Sequence, residues 1–198
     1  MKNTGIILLA AGCSSRLGSP KQLLLFEGKT LLEKIIDTSL NVFEKENIIL
    51  VLGSEHEKIE SSIQDKNISI CINTNWKSGM ASSINLGVKT LLSKFPEMQK
   101  CFISVCDQPY LNNEIFVDMM KIFENSAKEI VVAKYAETLG VPALFSKKYF
   151  EELIQLEGEQ GAKKIILQNS DDVAIFEFEK GAIDIDTPSD YDNLKFNK

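Results

Sequence analysis

The chain has 198 residues, 44% hydrophobic and 25% charged, with a formal net charge of −6. This is the balance of a soluble globular protein, most simply one domain over 1–198 and long enough to bury a substantial core. No run approaches the ~18 apolar residues of a membrane span, and the acidic total argues against a nucleic-acid surface.

The first element is the apolar run Ile6-Ile7-Leu8-Leu9-Ala10-Ala11 between Gly5 and Gly12. It predicts a fully buried strand over 5–10. The run leads directly into a charged loop, unlike a secretory leader. That loop, Gly12-Cys13-Ser14-Ser15-Arg16-Leu17-Gly18-Ser19-Pro20-Lys21, is small, hydroxylated and closed by two cations. Gly and Ser let a backbone approach closely and form anion-binding concavities, with Arg16 and Lys21 supplying neutralising charge. Residues 1–32 hold Lys2, Arg16, Lys21 and Lys29 against Glu27, a net +3 on an acidic chain. Such a locally basic start suits a small anionic ligand held at one edge.

Two familiar phosphate loops are excluded. Five residues separate Gly12 from Gly18, and Ser19-Pro20 follows, so the Walker A spacing fails; before Gly28-Lys29-Thr30, Leu23 stands where the first glycine belongs. The dinucleotide G-x-G-x-x-G pattern is also absent after this strand.

Beyond the loop, apolar runs at 47–52, 68–73, 101–106 and 129–134 predict strands. Helical patterns lie between them at 30–43, 55–64, 81–94 and 112–125; Leu31, Leu32, Ile35, Ile36 and Leu40 make one buried face of the first. The last third predicts helices at 146–156 and 160–168, with short strands near 142–145 and 173–178. Strands alternating with helices imply an α/β fold: a Rossmann-like, mostly parallel sheet with helices on both faces. Ligands of such sheets sit outside the carboxyl ends of strands, where the loop after 5–10 lies.

Asp107, at the carboxyl end of strand 101–106, is placed to hold Mg²⁺, a hard cation that takes carboxylates and substrate phosphates; a turn aspartate before Pro109 is the simpler alternative. In Asp184-Ile185-Asp186-Thr187-Pro188-Ser189-Asp190, alternation puts Asp184 and Asp186 on one side of an extended segment. Thr187 and Pro188 read as the N-cap and first residue of a helix, leaving Asp186 free to face a site. Trp76-Lys77-Ser78-Gly79-Met80-Ala81-Ser82-Ser83 precedes a helix, whose first N–H groups can bind an anion or a polar ring edge; capping by Ser78 or Ser82 is the plainer reading, and Trp76 reads as packing. The single histidine, His56, reads as a solvated first-turn residue, which disfavours Ser–His or Cys–His catalysis. Cys13, Cys71, Cys101 and Cys106 form no C-x-x-C pair, so neither a zinc site nor a disulfide framework is expected, and a reducing cytoplasm is the expected setting.

Taken in order, Leu9-Ala10-Ala11-Gly12-x-Ser14-x-Arg16-Leu17-Gly18-x-x-Lys21 resembles the signature of MobA-like nucleotidyltransferases. Further matches are Trp76-x-x-Gly79-Met80-x-x-Ser83, Cys106-Asp107-Gln108-Pro109, Gly140-x-Pro142-x-Leu144-Phe145, Gly161-Ala162 and Asp184-Ile185-Asp186-Thr187-Pro188-x-Asp190-Tyr191. Within the family the chain is most similar to molybdenum cofactor cytidylyltransferases. The resemblance implies a nucleotide held around Leu9, Ala10, Ala11, Gly12 and Ser14, with Gly79, Met80 and Ser83 beside it. It also implies Arg16 and Lys21 on the phosphates, and Mg²⁺ on Asp107 with Asp186 as its partner. Alanine at the Ala11 position goes with cytidine nucleotides and glycine there with guanosine. Leu17 replaces the family's Met. Glu159 and Lys163 replace a more usual Asp and Arg, and Leu139-Gly140-Val141-Pro142 departs from the usual polar pair.

The implied reaction moves CMP from CTP to the phosphate of a molybdopterin-type acceptor, with pyrophosphate leaving and a molybdoenzyme as client. Alternatives are a related transferase using GTP or another NTP with a different phosphate monoester, and a non-catalytic nucleotide- or pterin-binding escort.

Overall fold

The computed structural model describes residues 1–159 and 161–196. In chain order the elements are β1 (Thr4–Ala10), β2 (Leu25–Phe26), β3 (Lys29–Thr30), α1 (Leu31–Leu40), β4 (Ile48–Leu52), α2 (His56–Ser61) and β5 (Ser69–Ile72). They continue with α3 (Met80–Lys94), β6 (Lys100–Val105), α4 (Asn113–Asn125), β7 (Ile130–Tyr135), β8 (Thr138–Ser146), α5 (Phe150–Ile154), α6 (Lys163–Gln168), β9 (Val173–Glu177) and α7 (Pro188–Phe196).

Seven strands form one sheet in the order β5-β4-β1-β6-β8-β7-β9. All neighbours are parallel except β8, which runs antiparallel to both β6 and β7. Every residue of β1 and β4 is buried, because helices cover both faces. Alternation along β1 sends Ile6, Leu8 and Ala10 to the face packed by α1, α2 and α4, and Ile7 and Leu9 to the face packed by α3, α5 and α6.

The helices start where local chemistry permits. Thr30 and Glu33 make a reciprocal capping box at α1, each side chain bonding the other's backbone N–H. Asn112 caps α4 through the N–H of Ile115. Thr187 accepts from the N–H of Asp190 at 3.3 Å, so the expected start of α7 is present.

Several boundaries differ from expectation. The strand expected near 142–145 is the nine-residue β8; its first half is exposed or half-buried and lacks the apolar run that marks the others. The helix expected over 146–156 is a 3₁₀ turn, Lys147–Tyr149, followed by the short α5. Residue 160 of the helix expected over 160–168 lies outside the described residues, and α6 spans the end of that range. The β2–β3 ribbon had no counterpart in the pattern, since strands of two residues carry no periodicity. Its Phe26 packs with Ile185 and Leu194, which anchors the C-terminal segment beside the loop after β1. Among the described residues no helix is long and apolar enough to cross a membrane.

From β1 the chain moves outward to β4 and β5, then returns to place β6 on the other side of β1. The loops leaving β1 and β6 therefore diverge at a topological switch point, where α/β sheets open a crevice.

Candidate active site

The loop after β1 is shaped by its own side chains. Ser14 adopts a left-handed backbone (φ 48°) and its carbonyl accepts from the N–H of Leu17 at 2.9 Å. Its Oγ accepts from the N–H of Lys21 at 3.0 Å. Gln22, almost fully buried, donates from Nε2 to the carbonyls of Ala10 (2.8 Å) and Gly12 (3.3 Å). Because C=O and N–H point oppositely in a trans peptide, the N–H groups of Ala11 and Cys13 are turned away from Gln22. The loop after β4 braces the other flank. A Cβ on Gly53 would meet the Ala11 carbonyl at 2.7 Å and Trp76 Cβ at 2.8 Å, so only glycine fits between them.

Lys21 reaches across the switch point. Its ammonium bonds the carboxylate of Asp107, one residue past buried Cys106, and Asp186 Oδ1 at 2.9 Å. Arg16 bonds the other oxygen of Asp186 at 2.7 Å from a largely exposed position. Burial opposes the charge on Lys21, but the field of Asp107 and hydrogen bonds to both aspartates outweigh it and hold the ammonium above its usual range. Asp186 is held below the usual carboxylate range, chiefly by the Lys21 hydrogen bond. Asp184 is raised by desolvation and then by the charges of Asp107 and Asp186. Burial, with Asp107 next, pushes the Cys106 thiol up to about 12, so it stays protonated and is no nucleophile at neutral pH.

The opposite wall is the start of α3. Gly79 (φ 97°) is its N-cap and supplies no side-chain cap; Ser82 turns inward and donates to the Gly79 carbonyl at 2.8 Å, so the capping expected of Ser78 or Ser82 is not what forms. The N–H of Ala81 donates to the Gly158 carbonyl at 3.3 Å, closing the segment before α6 onto this turn.

Between these walls lies a cleft of about 350 Å³. Of the residues singled out in the sequence, Leu9, Ala10, Ala11, Gly12, Lys21, Gly79, Met80, Ser83 and Asp107 line it. Ser14, Arg16 and Asp186 do not; Ser14 braces the loop from behind, while Arg16 and Asp186 stand at the Lys21 end. Trp76, read as a packing residue, also lines the cleft, as do Gln22, Lys77 and Glu159. Gln22 escaped the sequence reading because its partners are backbone carbonyls, which leave no pattern. His56 sits in the first turn of α2, with Nδ1 3.2 Å from the Gly53 carbonyl, away from this cleft. A second, wider groove of about 510 Å³ lies behind α3, with Lys89 and Glu157 as its charged groups.

Asp107 and Asp186 converge on one point, the Lys21 ammonium. Among the described residues no three His, Cys, Asp or Glu side chains gather in a metal-holding arrangement. The donor set therefore fits a hard divalent cation bound by one or two carboxylates and completed by phosphates, and does not fit a closed structural site.

A doubly wound sheet with a cationic, glycine-punctuated loop and an aspartate pair at its switch point is the α/β fold of the nucleotidyltransferases. The MobA-like NTP transferase domain matches residues 6–173, and the chain belongs to that family. Molybdenum cofactor cytidylyltransferase of Escherichia coli is 27% identical over 190 residues, covering 96% of this chain and 94% of that one. A probable molybdenum cofactor guanylyltransferase of Methanosarcina mazei is 28% identical over 167 residues, 81% of this chain and 70% of its own. The manganese complex of Rv0371c from Mycobacterium tuberculosis superposes with a TM-score of 0.79 at 24% identity, over 98% of each chain.

Proposed function

We propose that this nucleotidyltransferase transfers CMP from CTP to the phosphate of a molybdopterin-type acceptor, releasing pyrophosphate. The carrying observation is Lys21 joined to both Asp107 and Asp186 at one end of a cleft walled by Ala11. The E. coli relative is a molybdenum cofactor cytidylyltransferase and the M. mazei relative a probable guanylyltransferase, and alanine at position 11 favours the former.

An acceptor phosphate oxygen attacks the α-phosphorus in line; a new P–O bond forms and the bond to the β-phosphate oxygen breaks. Such transfers need positioning and charge neutralisation more than a protein nucleophile. The backbone of Leu9, Ala10, Ala11 and Gly12 holds the nucleotide, and Ser14 keeps the loop closed. Gly79, Met80 and Ser83 flank the base. Lys21 and Arg16 offset charge on the triphosphate and on the departing pyrophosphate. Asp107 and Asp186 would hold Mg²⁺, which supplies Lewis-acid stabilisation of the phosphate oxygens. The product would pass to a client molybdoenzyme.

The test is pyrophosphate release from each of CTP, GTP, ATP and UTP with Mg²⁺ and molybdopterin. CTP-dependent release that falls on the order of 10²-fold or more in Asp107→Ala supports the reading. Release with GTP instead moves the assignment to guanylyl transfer. Tight CTP binding indifferent to Mg²⁺, with no release, makes the protein an escort.

A further inference from the structure

Asn73 follows β5, is almost fully buried, and stands between the two clefts. Its backbone N–H donates to the Leu52 carbonyl at 2.7 Å. Its side-chain orientation is fixed by its partners. Asn75 presents a backbone N–H, which can only donate, at 2.9 Å, so the atom receiving it is Oδ1. Nδ2 therefore faces the first turn of α3 and donates one hydrogen to Ser82 Oγ (2.8 Å) and the other to Ser83 Oγ (2.9 Å).

Each serine, having accepted, must place its own proton elsewhere. Ser82 donates to the Gly79 carbonyl at 2.8 Å. Ser82 Oγ also lies 3.2 Å from the Asn75 carbonyl, a second acceptor. Ser83 makes no hydrogen bond to the Gly79 carbonyl four residues before it, where a helical serine normally back-bonds. Among the described residues Ser83 has no acceptor for its proton, yet it is only 4% exposed and lines the cleft that also holds Ala11 and Trp76. A buried hydroxyl left in this condition calls for a partner.

We propose that Asn73 is a positioning residue that fixes Ser83 as a hydrogen-bond donor toward an acceptor edge of the nucleobase, the O2/N3 edge of cytosine. This rests on the nucleotidyltransferase reading and adds polarity to it: the base must present a lone pair, not an N–H, at Ser83. Asn73 selects the base without touching it.

The test uses the full chain, titrated by the fluorescence of Trp76 with each of the four NTPs and with inorganic tripolyphosphate, which has no base. Ser83→Ala weakens CTP about tenfold, the worth of one good hydrogen bond. Asn73→Asp keeps an acceptor for the Asn75 N–H but offers carboxylate oxygens to both serines, drawing the Ser83 proton inward. It weakens CTP by about tenfold or more, leaves tripolyphosphate unchanged, and adds less than about twofold in the Ser83→Ala background. Ser82→Ala introduces no charge; it removes one of the two acceptors that fix the Asn73 amide, loosens the orientation of Ser83 and weakens CTP about two- to fivefold. The proposal is overturned if Asn73→Asp and Ser82→Ala bind CTP like the wild type, or if the Asn73→Asp loss is equal for CTP and tripolyphosphate or undiminished without Ser83. A wild type that binds tripolyphosphate but no NTP overturns the nucleotidyltransferase reading itself.

Discussion

Lys21 and Asp186 lie 165 positions apart in the chain and meet at 2.9 Å. The contact ties the loop after β1 to the C-terminal segment, and the same ammonium also holds Asp107. One cation thus stands between two carboxylates that would otherwise repel. Removing it with Lys21→Met leaves both acids facing each other, Asp186 still bonded to Arg16 and Asp107 deprived of its cation. Activity is expected to fall by about 10²- to 10³-fold, the cost of one strong electrostatic element. The thermal midpoint falls as well, and Mg²⁺ or Mn²⁺ raises it more in the variant than in the wild type, because the divalent ion no longer competes with the ammonium. Scanning fluorimetry with and without metal checks this. Equal metal shifts in both proteins would show that the two acids do not share a cation site.

Gly79 sets the opposite wall, and its backbone (φ 97°, ψ 175°) is one that side chains avoid. A Cβ there would also lie 2.6 Å from the Gly158 carbonyl and 2.9 Å from Glu159 Cδ. Gly79→Ala is expected to cost about 1–3 kcal/mol from backbone strain alone. It also pushes the 158–159 segment off the first turn of α3. Denaturant unfolding measures the first effect, and a raised KM for the nucleotide measures the second.

The central strands were legible because burial on both faces makes them continuous apolar runs, and Gly12 and Cys106-Asp107 mark where two of them end. That Asp107 and Asp186 act together was legible only through the family resemblance, which put Lys21 on phosphates. Its bonds to both acids were not foreseen, because contacts between residues this far apart in the chain leave no local pattern. Asn73 and Gln22 were not. Each acts through a side-chain amide whose partners are set by packing: backbone carbonyls for Gln22, two serines of the next helix for Asn73. A polar residue at a strand end looks the same in sequence whether it is buried or exposed. Trp76, read as packing, both packs against Gly53 and lines the cleft; a lone tryptophan carries no sign of whether its face meets a core or a cleft. Arg16 and Lys21 were paired as equals in sequence, yet one is largely exposed and the other mostly enclosed.

Cys13 provides a footprint of the cleft. It is exposed and lines the cleft, while Cys101 and Cys106 are buried with thiols pushed up by desolvation, and Cys71 is half-buried and raised for the same reason. Thiolate fraction and access together govern alkylation. Iodoacetamide on the native protein is expected to label Cys13 first, Cys71 slowly, and the buried pair only after unfolding. CTP with Mg²⁺ slows labelling at Cys13 and leaves Cys71 unchanged, as read by peptide mass spectrometry. Unaltered Cys13 labelling at saturating nucleotide would place the ligand elsewhere.

Asp172 makes the clearest pH-dependent tie away from the cleft. Its Oδ2 accepts from Tyr149 Oη at 2.6 Å and Lys148 Nζ at 2.7 Å, and its Oδ1 accepts from the N–H of Glu129 at 3.1 Å. These bonds join the starts of β7, β9 and the turn before α5. The Lys148 and Tyr149 hydrogen bonds hold its carboxyl below the usual range. A depressed folded value means that the stabilisation is fully present above the unfolded pKa, about 3.9, and is lost as pH falls through the folded value. The group is partly exposed, so solvent screening limits the charged part to about 1 kcal/mol. Asp172→Asn is therefore expected to lower the thermal midpoint by about 2–4 °C at pH 7. The gap between the two proteins should persist to about pH 5 and close as pH falls below the unfolded pKa and the wild-type carboxylate itself takes up a proton. A gap that stays constant down to pH 2 would assign the loss to packing around Tyr149, because a neutral hydrogen bond has no reason to follow the titration of an acid.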